Sequence, residues 1–169
     1  RQALYAASYE EALIENRAVV GKGLSRQSWG IAAKIREMDH LLQDSAKARM
    51  VVHEAHPEVC FRGLSGAPMR YAKKKREGFR ERLECLSRHL PGATAIAAGA
   101  FLEHGGYEVG RDDVLDALVL AFCASQAPDC RTLPETPERD PRGLRMEMVY
   151  LPAERSDQQP NLLPPGRSP

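Results

Sequence analysis

Residues 110–125 read Gly-Arg-Asp-Asp-Val-Leu-Asp-Ala-Leu-Val-Leu-Ala-Phe-Cys-Ala-Ser. A helix is expected to open at Asp112 and run to about Ser125. Asp112 suits an N-cap, and acids in a first turn suit the positive end of the helix dipole. At about 100° per residue, Asp112, Asp113 and Asp116 share one arc, with Val114, Leu115, Leu118 and Phe122 opposite. A water-facing arc would stay polar further along. Residues 117–124 instead carry no polar side chain, and Leu120 and Cys123 fall within the acidic arc. The helix therefore reads as buried on both sides, with carboxylates at its mouth. With the two strands read below, the helices together look made to cover the sheet of an α/β domain.

Asp113 and Asp116 are three apart and are expected to converge on one point, with Asp112 beside them. Clustered carboxylates repel unless a cation joins them, and oxygen ligands suit Mg2+ or Mn2+.

Upstream, Ser8 and Glu11 form a capping box for a helix from 8 to about 19, stopped by Gly21-Lys22-Gly23. Ser25 caps a second helix, whose stripe is Ile31, Ile35, Met38 and Leu42. Residues 49–56, Arg-Met-Val-Val-His-Glu-Ala-His, read as a strand ended by Pro57. On that strand Glu54 and His56 would share a face with Val52, while His53 points the other way. The His-Glu-Ala-His run is not the helical H-E-x-x-H zinc motif.

A turn containing Gly63, Gly66 and Pro68 follows, then a basic segment with Arg70, Lys73, Lys74, Lys75, Arg76, Arg80 and Arg82. Phe79, Leu83, Leu86 and Leu90 give a third helical stripe, broken at Pro91-Gly92. Residues 94–102 are alanine-rich and helical. Cations near a helix start are disfavoured by the dipole, and a bound phosphate would offset that cost. Such contacts position a nucleic-acid backbone without reading sequence. No aromatic ladder accompanies them, so base stacking is not expected there.

Residues 128–142 read as a loop, and 143–150 as a half-buried strand with Leu144, Met146, Met148 and Tyr150 on its apolar face. Residues 151–169 are Pro-rich and expected to be a disordered tail. The domain expected is 1–150. Two strands cannot cover this many helices. More strands are expected upstream of Arg1, which is not a Met and is expected to lie inside a longer chain.

Composition bounds the function. The chain has 169 residues, 43% hydrophobic and 28% charged, with net charge +1, so it is no polycation, and nucleic acid would have to meet a local patch. No apolar run reaches the ~18 residues of a membrane span, and no signal peptide is visible. Cys60, Cys85, Cys123 and Cys130 form no C-x-x-C pair. That pattern excludes a zinc site and points to a reducing compartment, the cytoplasm.

Five stretches taken in order carry a resemblance: residues 21–39, 51–66, 72–86, 110–118 and 137–150. Together they resemble the domain-of-unknown-function 429 family, predicted nucleases with a ribonuclease-H fold, over residues 8–150. The resemblance implies a ribonuclease-H-like mixed sheet of five strands with flanking helices. It implies carboxylates around two divalent ions that hydrolyse phosphodiesters of DNA or RNA. Asp113 and Asp116 match acids of the last helix, and Glu54 matches the acid of the strand motif, assisting the metal or orienting water. Lys73, Lys74 and Arg82 match the basic helix, which Lys75 and Arg76 extend. The family's N-terminal strands, one carrying an Asp and another an Asp-x-Pro-type end, are not in this chain. Two other readings stay open. One is a non-enzymatic protein binding nucleic acid or a partner through the basic helix. The other is a truncated remnant.

Overall fold

The computed structural model describes residues 2–104 and 109–153. The fold is mostly helical α/β, with one small two-stranded antiparallel sheet among the described residues. The chain divides into two compact units. One holds residues 1–53 and 138–146, and the other holds 54–137 and 147–169.

In the first unit the helices are α1 (Gln2–Tyr5), α2 (Tyr9–Val20), α3 (Arg26–Gly30), α4 (Ala32–Asp44) and α5 (Ala46–Val51). The local signals behave as their chemistry requires. Ser8 Oγ accepts from Glu11 N at 3.1 Å, and Gly21 ends α2 at φ 68°, a left-handed conformation that glycine adopts without steric cost. Ser25 caps α3 through Ser28 N at 2.9 Å. The second helix expected from the sequence is split at Ile31, which separates α3 from α4. The Tyr5 hydroxyl donates to buried Asp39, which ties α1 to α4.

The strand expected at 49–56 does not form. Ser45 Oγ accepts from Ala48 N at 3.1 Å and starts α5, so Arg49, Met50 and Val51 are helical. Residues 52–56 are irregular. Pro57 is the first residue of a helix rather than the end of a strand. It lacks the N–H that a first turn would leave unsatisfied, and its fixed φ suits the helix. His56 precedes it and accepts from Glu58 N through Nδ1 at 3.2 Å.

The second unit contains α6 (Pro57–Ser65), α7 (Arg76–His89), α8 (Ala93–His104), α9 (Arg111–Ser125), β1 (Arg131–Leu133) and β2 (Met148–Tyr150). The loop expected at 128–142 holds β1, and of the strand expected at 143–150 only the last three residues pair in the sheet. Arg131 faces Tyr150, Thr132 faces Val149 and Leu133 faces Met148. The expected alternation fails as well, since Met146 is exposed and Glu147 is buried. Helix α9 packs against α6, α7 and α8. Phe61, Leu64, Leu86, Leu115, Val119, Cys60, Cys85 and Cys123 fill the core between them. Residues 150–151 cross α6 at Gly63, where a Cβ would lie 2.4 Å from the Leu151 carbonyl oxygen. The Ala153 N–H donates to the Gly63 carbonyl at 2.7 Å and fixes that crossing.

The expected burial of α9 on both sides is half met. Leu115, Val119 and Cys123 are buried, but Ala117, Ala121 and Ala124 are exposed. Alanine reads as apolar yet costs little in water. A face built of it can take the solvent side of a helix, and Asp113 lies on that face. The tail at 154–169 lies outside the described residues.

Candidate functional site

Two of the three aspartates meet, though not the pair expected. Asp112 and Asp116, four apart on α9, both turn to Lys73. Its Nζ lies 2.6 Å from Asp116 Oδ2 and 3.4 Å from Asp112 Oδ2. The i, i+4 spacing stacks the two carboxylates on one flank. Asp113 is exposed and has a different task. Its Oδ2 accepts from the Gly110 N–H at 3.0 Å, satisfying a donor just before the helix. Gly110, not Asp112, is the N-cap residue, so the cap assigned to Asp112 from the sequence is corrected. A Cβ at Gly110 would lie 2.9 Å from carboxylate oxygens of both Asp112 and Asp113, so both side chains would have to turn aside.

Asp112 and Asp116 are mostly buried, with 18% and 17% of their side chains exposed. Asp116 Oδ1 is fully enclosed and has no hydrogen-bond partner among the described residues. A buried, unsatisfied carboxylate oxygen is costly, so this atom marks the place where a further donor or cation would be held most strongly. The Lys73 ammonium is driven above its ordinary pKa of 10.5, first by its hydrogen bond to Asp116 and also by Asp112, against partial burial.

Lys73 is delivered by a built loop. Residues 71–72 pass over the first turn of α7 at Gly78, where a Cβ would come 2.2 Å from the Ala72 carbonyl oxygen. The Glu81 carboxylate accepts from Arg70 N at 2.9 Å and Tyr71 N at 3.1 Å, and the first of these holds its pKa below the ordinary value. Arg82 donates through Nη1 to the Tyr71 and Gly78 carbonyls at 3.0 and 2.9 Å. Its Nη2 meets both oxygens of Glu58, at 2.7 and 2.8 Å, and its Nε meets Glu58 Oε1 at 3.1 Å.

This corrects the phosphate-binding role expected for Arg82. A guanidinium has five N–H donors, and these contacts occupy all of them in a buried position. Glu58, its partner 24 positions away, was missed because no local spacing connects the two. Lys73 is likewise committed, to aspartates rather than to an external anion. Lys74, Lys75 and Arg76 are exposed and make no ion pair among the described residues. Lys75 is the N-cap of α7 with no side-chain cap bond, so cations do sit where the dipole disfavours them. Glu54 is exposed and joins the second unit through its backbone, its carbonyl accepting from Val149 N at 2.8 Å. Among the described residues no three His, Cys, Asp or Glu side chains gather as a metal-holding group, so Glu54 does not complete one with Asp112 and Asp116.

The four cysteines carry free thiols, three of them buried. The Cys60 thiol is held well above its ordinary pKa by its hydrogen bond to Cys123 and by burial. No helix of the described residues is long and apolar enough to cross a membrane.

Residues 1–139 match the model of a family described as "Protein of unknown function (DUF429)". No curated protein and no solved structure matches the chain.

Proposed function

This chain belongs to the DUF429 family, and from that premise we propose that it is the C-terminal part of a metal-dependent nuclease with a ribonuclease-H-like fold. The observation that carries the reading is the convergence of Asp112 and Asp116, with Asp116 Oδ1 buried and unpartnered beside them. Two carboxylates at one point need a cation, and Lys73 supplies a positive charge there.

The donor set fits part of a hard-cation shell. Carboxylate oxygens are the ligands Mg2+ and Mn2+ take, and these ions are commonly held by one or two carboxylates with waters completing the shell. Asp112 and Asp116 would hold the ion, and Asp113 would keep the start of α9 closed through Gly110. A bound divalent ion supplies charge stabilisation at a phosphoryl oxygen and a more acidic water. Lys73, if a metal ion freed it from one aspartate, would supply a second positive group to the phosphodiester. Lys74, Lys75 and Arg76 offer a sequence-independent hold on the nucleic-acid backbone of DNA or RNA. Further ligands, and the strands that complete the sheet, would come from the family's N-terminal portion. The exposed stripe of Ile31, Ile35, Met38 and Leu41 supports a missing covering layer.

The test is the melting temperature of the chain with and without 10 mM Mn2+, alongside Asp116→Asn and Lys73→Met. Binding to the folded state alone raises the melting temperature by linkage. The expected result is a metal-dependent rise in the parent, none in Asp116→Asn and a larger one in Lys73→Met, where no ammonium competes. A parent without a rise, or a rise kept in full by Asp116→Asn, removes the metal site and the nuclease reading with it. A second reading is favoured by the ion pairs themselves. If Lys73 only neutralises Asp112 and Asp116, the protein binds nucleic acid or a partner through Lys74, Lys75 and Arg76 without catalysis. In that case Lys73→Met loses stability and Mn2+ does not restore it.

A further inference from the structure

A cleft of about 1160 Å³ lies within the second unit, at the end of α9 away from the aspartates. Phe122 and Gln126 in its wall are six and ten residues beyond Asp116, or about 9 and 15 Å along the helix axis. Its floor includes one face of the small sheet. Arg131 and Tyr150 are direct cross-strand partners, and opposite residues of an antiparallel pair point the same way. Arg62 enters from the last turn of α6 and Arg88 from the last turn of α7.

The charges of this cleft are unbalanced. Arg62, Arg88 and Arg131 are exposed, and none makes an ion pair among the described residues. Arg88 has the Cys85 thiol as a neighbour, and a neutral thiol offsets no charge. Against three guanidiniums the lining holds one carboxylate among the described residues, Asp129, which leaves an excess of two positive charges there. The helix dipole accounts for Arg62 and Arg88 one at a time, because cations suit the last turn. It does not account for Arg131, which stands on a strand beside an aromatic ring. Guanidinium is the cation suited to bidentate contact with phosphate.

Tyr150 and Phe122 add an aromatic wall on which a base can stack whatever its identity. His89 is already committed. Its Nε2 lies 3.1 Å from the Leu64 carbonyl, which can only accept, so that nitrogen carries the proton. The cleft is somewhat larger than the roughly 300–1,000 Å³ of most small-ligand pockets, and far larger than a simple inorganic anion needs.

We propose that this cleft binds a nucleoside phosphate, its phosphate held by Arg62, Arg88 and Arg131 and its base laid against Tyr150 and Phe122. The ligand is a free mononucleotide or the terminal nucleotide of a strand, and both present the same chemistry. The site is independent of the aspartates and of the nuclease reading.

The experiment is isothermal titration of the chain at low salt with AMP, adenosine, inorganic phosphate, and a short oligonucleotide with and without a 5′-phosphate. AMP should bind at least about tenfold more tightly than adenosine or phosphate alone, because each lacks half of the contacts. Arg131→Gln should weaken AMP by about tenfold or more while leaving the melting temperature unchanged, since Arg131 is exposed and makes no ion pair among the described residues. Asp116→Asn should leave AMP binding as it is, which separates this site from the proposed metal site. Tighter binding of the 5′-phosphorylated oligonucleotide than of AMP, lost in Arg131→Gln, bears out the site with a strand end as its ligand. The reverse ranking bears it out with a free nucleotide. No binding of AMP or of the phosphorylated oligonucleotide at millimolar concentration overturns the proposal, and so does binding that Arg131→Gln leaves intact.

Discussion

Of their apolar side chains, residues 2–53 bury only the small ones of Ala6, Ala12, Ala32 and Ala48, whereas residues 54–137 bury Phe61, Leu64, Leu86, Leu115 and Val119. The first unit has no lack of large apolar residues. Ile14, Val19, Ile31, Ile35, Met38 and Met50 all belong to it, and all are exposed. The difference lies in what the apolar faces meet. In the second unit α6, α7 and α8 surround α9, so each stripe finds another. In the first, the α4 stripe points to solvent, and the helices rest on caps, on the Tyr5 bond to Asp39 and on ring contacts such as Arg26 over Tyr9 at 4.4 Å. Short helices without tertiary burial are marginal in water. The second unit is thus the stable scaffold, and the first is the part whose order depends on what covers it.

The largest expected effect breaks the comparison most directly. Phe61→Ala should cost about 3–5 kcal/mol, because it empties a fully enclosed site in the core. Ile14→Ala, on an exposed face of α2, should change stability by no more than about 0.5 kcal/mol. Denaturant unfolding of both variants measures the two. Similar costs would mean that Ile14 is covered in solution and that the first unit has a partner.

Sequence made legible what is decided within a turn or two. Ser8, Gly21, Ser25 and Pro91-Gly92 mark real helix boundaries because capping and breaking are local events. The strand read at 49–56 failed on competing local signals. Val51 and Val52 suggest a strand, but Ser45 three residues before Ala48 is a cap, and Pro57 is as apt to start a helix as to end a strand. At the site, three aspartates were visible, but which of them converge was not. That choice is made by Lys73, 43 positions from Asp116, and Lys73 is placed in turn by Gly78, Glu81 and Arg82. Arg82 read as a phosphate-binding cation because its partners Glu58 and the Tyr71 carbonyl are distant in sequence. The cleft arginines stand on three separate elements and form no run at all.

A smaller effect sharpens the comparison from the other side. If caps hold the first unit, losing one should show there as lost helix. Ser8→Ala removes the acceptor for Glu11 N and should cost about 1 kcal/mol. With no large core behind α2, that loss should appear as reduced helicity by circular dichroism at temperatures well below the main melt. Global stability, set by the second unit, should stay close to the parent value. A single melt shifted as a whole, with no early loss of helicity, would show that the cap supports global stability and not the first unit alone.

The smallest effect concerns pH, and it probes the loop that carries Lys73. The Glu81 carboxylate accepts the Arg70 and Tyr71 N–H groups, and its pKa in the folded protein is held below the ordinary 4.5, first by the Arg70 bond. A carboxyl whose folded pKa is depressed binds protons less readily in the folded state than in the unfolded state. Its stabilisation is therefore complete above the unfolded value and is lost as pH falls through the folded one. Lys73 has the opposite sign. Its raised pKa gives stabilisation that is complete below 10.5 and lost as pH rises through the folded value. Comparing Glu81→Gln with the parent between pH 6 and pH 3 cancels the titrations the two share. The difference in stability should be present at pH 6 and shrink toward zero in acid, and it should be smaller than the Ser8→Ala effect because the carboxylate is partly in water. Releasing the loop should also loosen the Lys73 contact with Asp116 and lower the Lys73 pKa, which NMR titration of its side chain can follow. A Glu81→Gln difference that stays constant down to pH 3 would mean that the amide holds the loop poorly for steric reasons and that charge at Glu81 does not position Lys73.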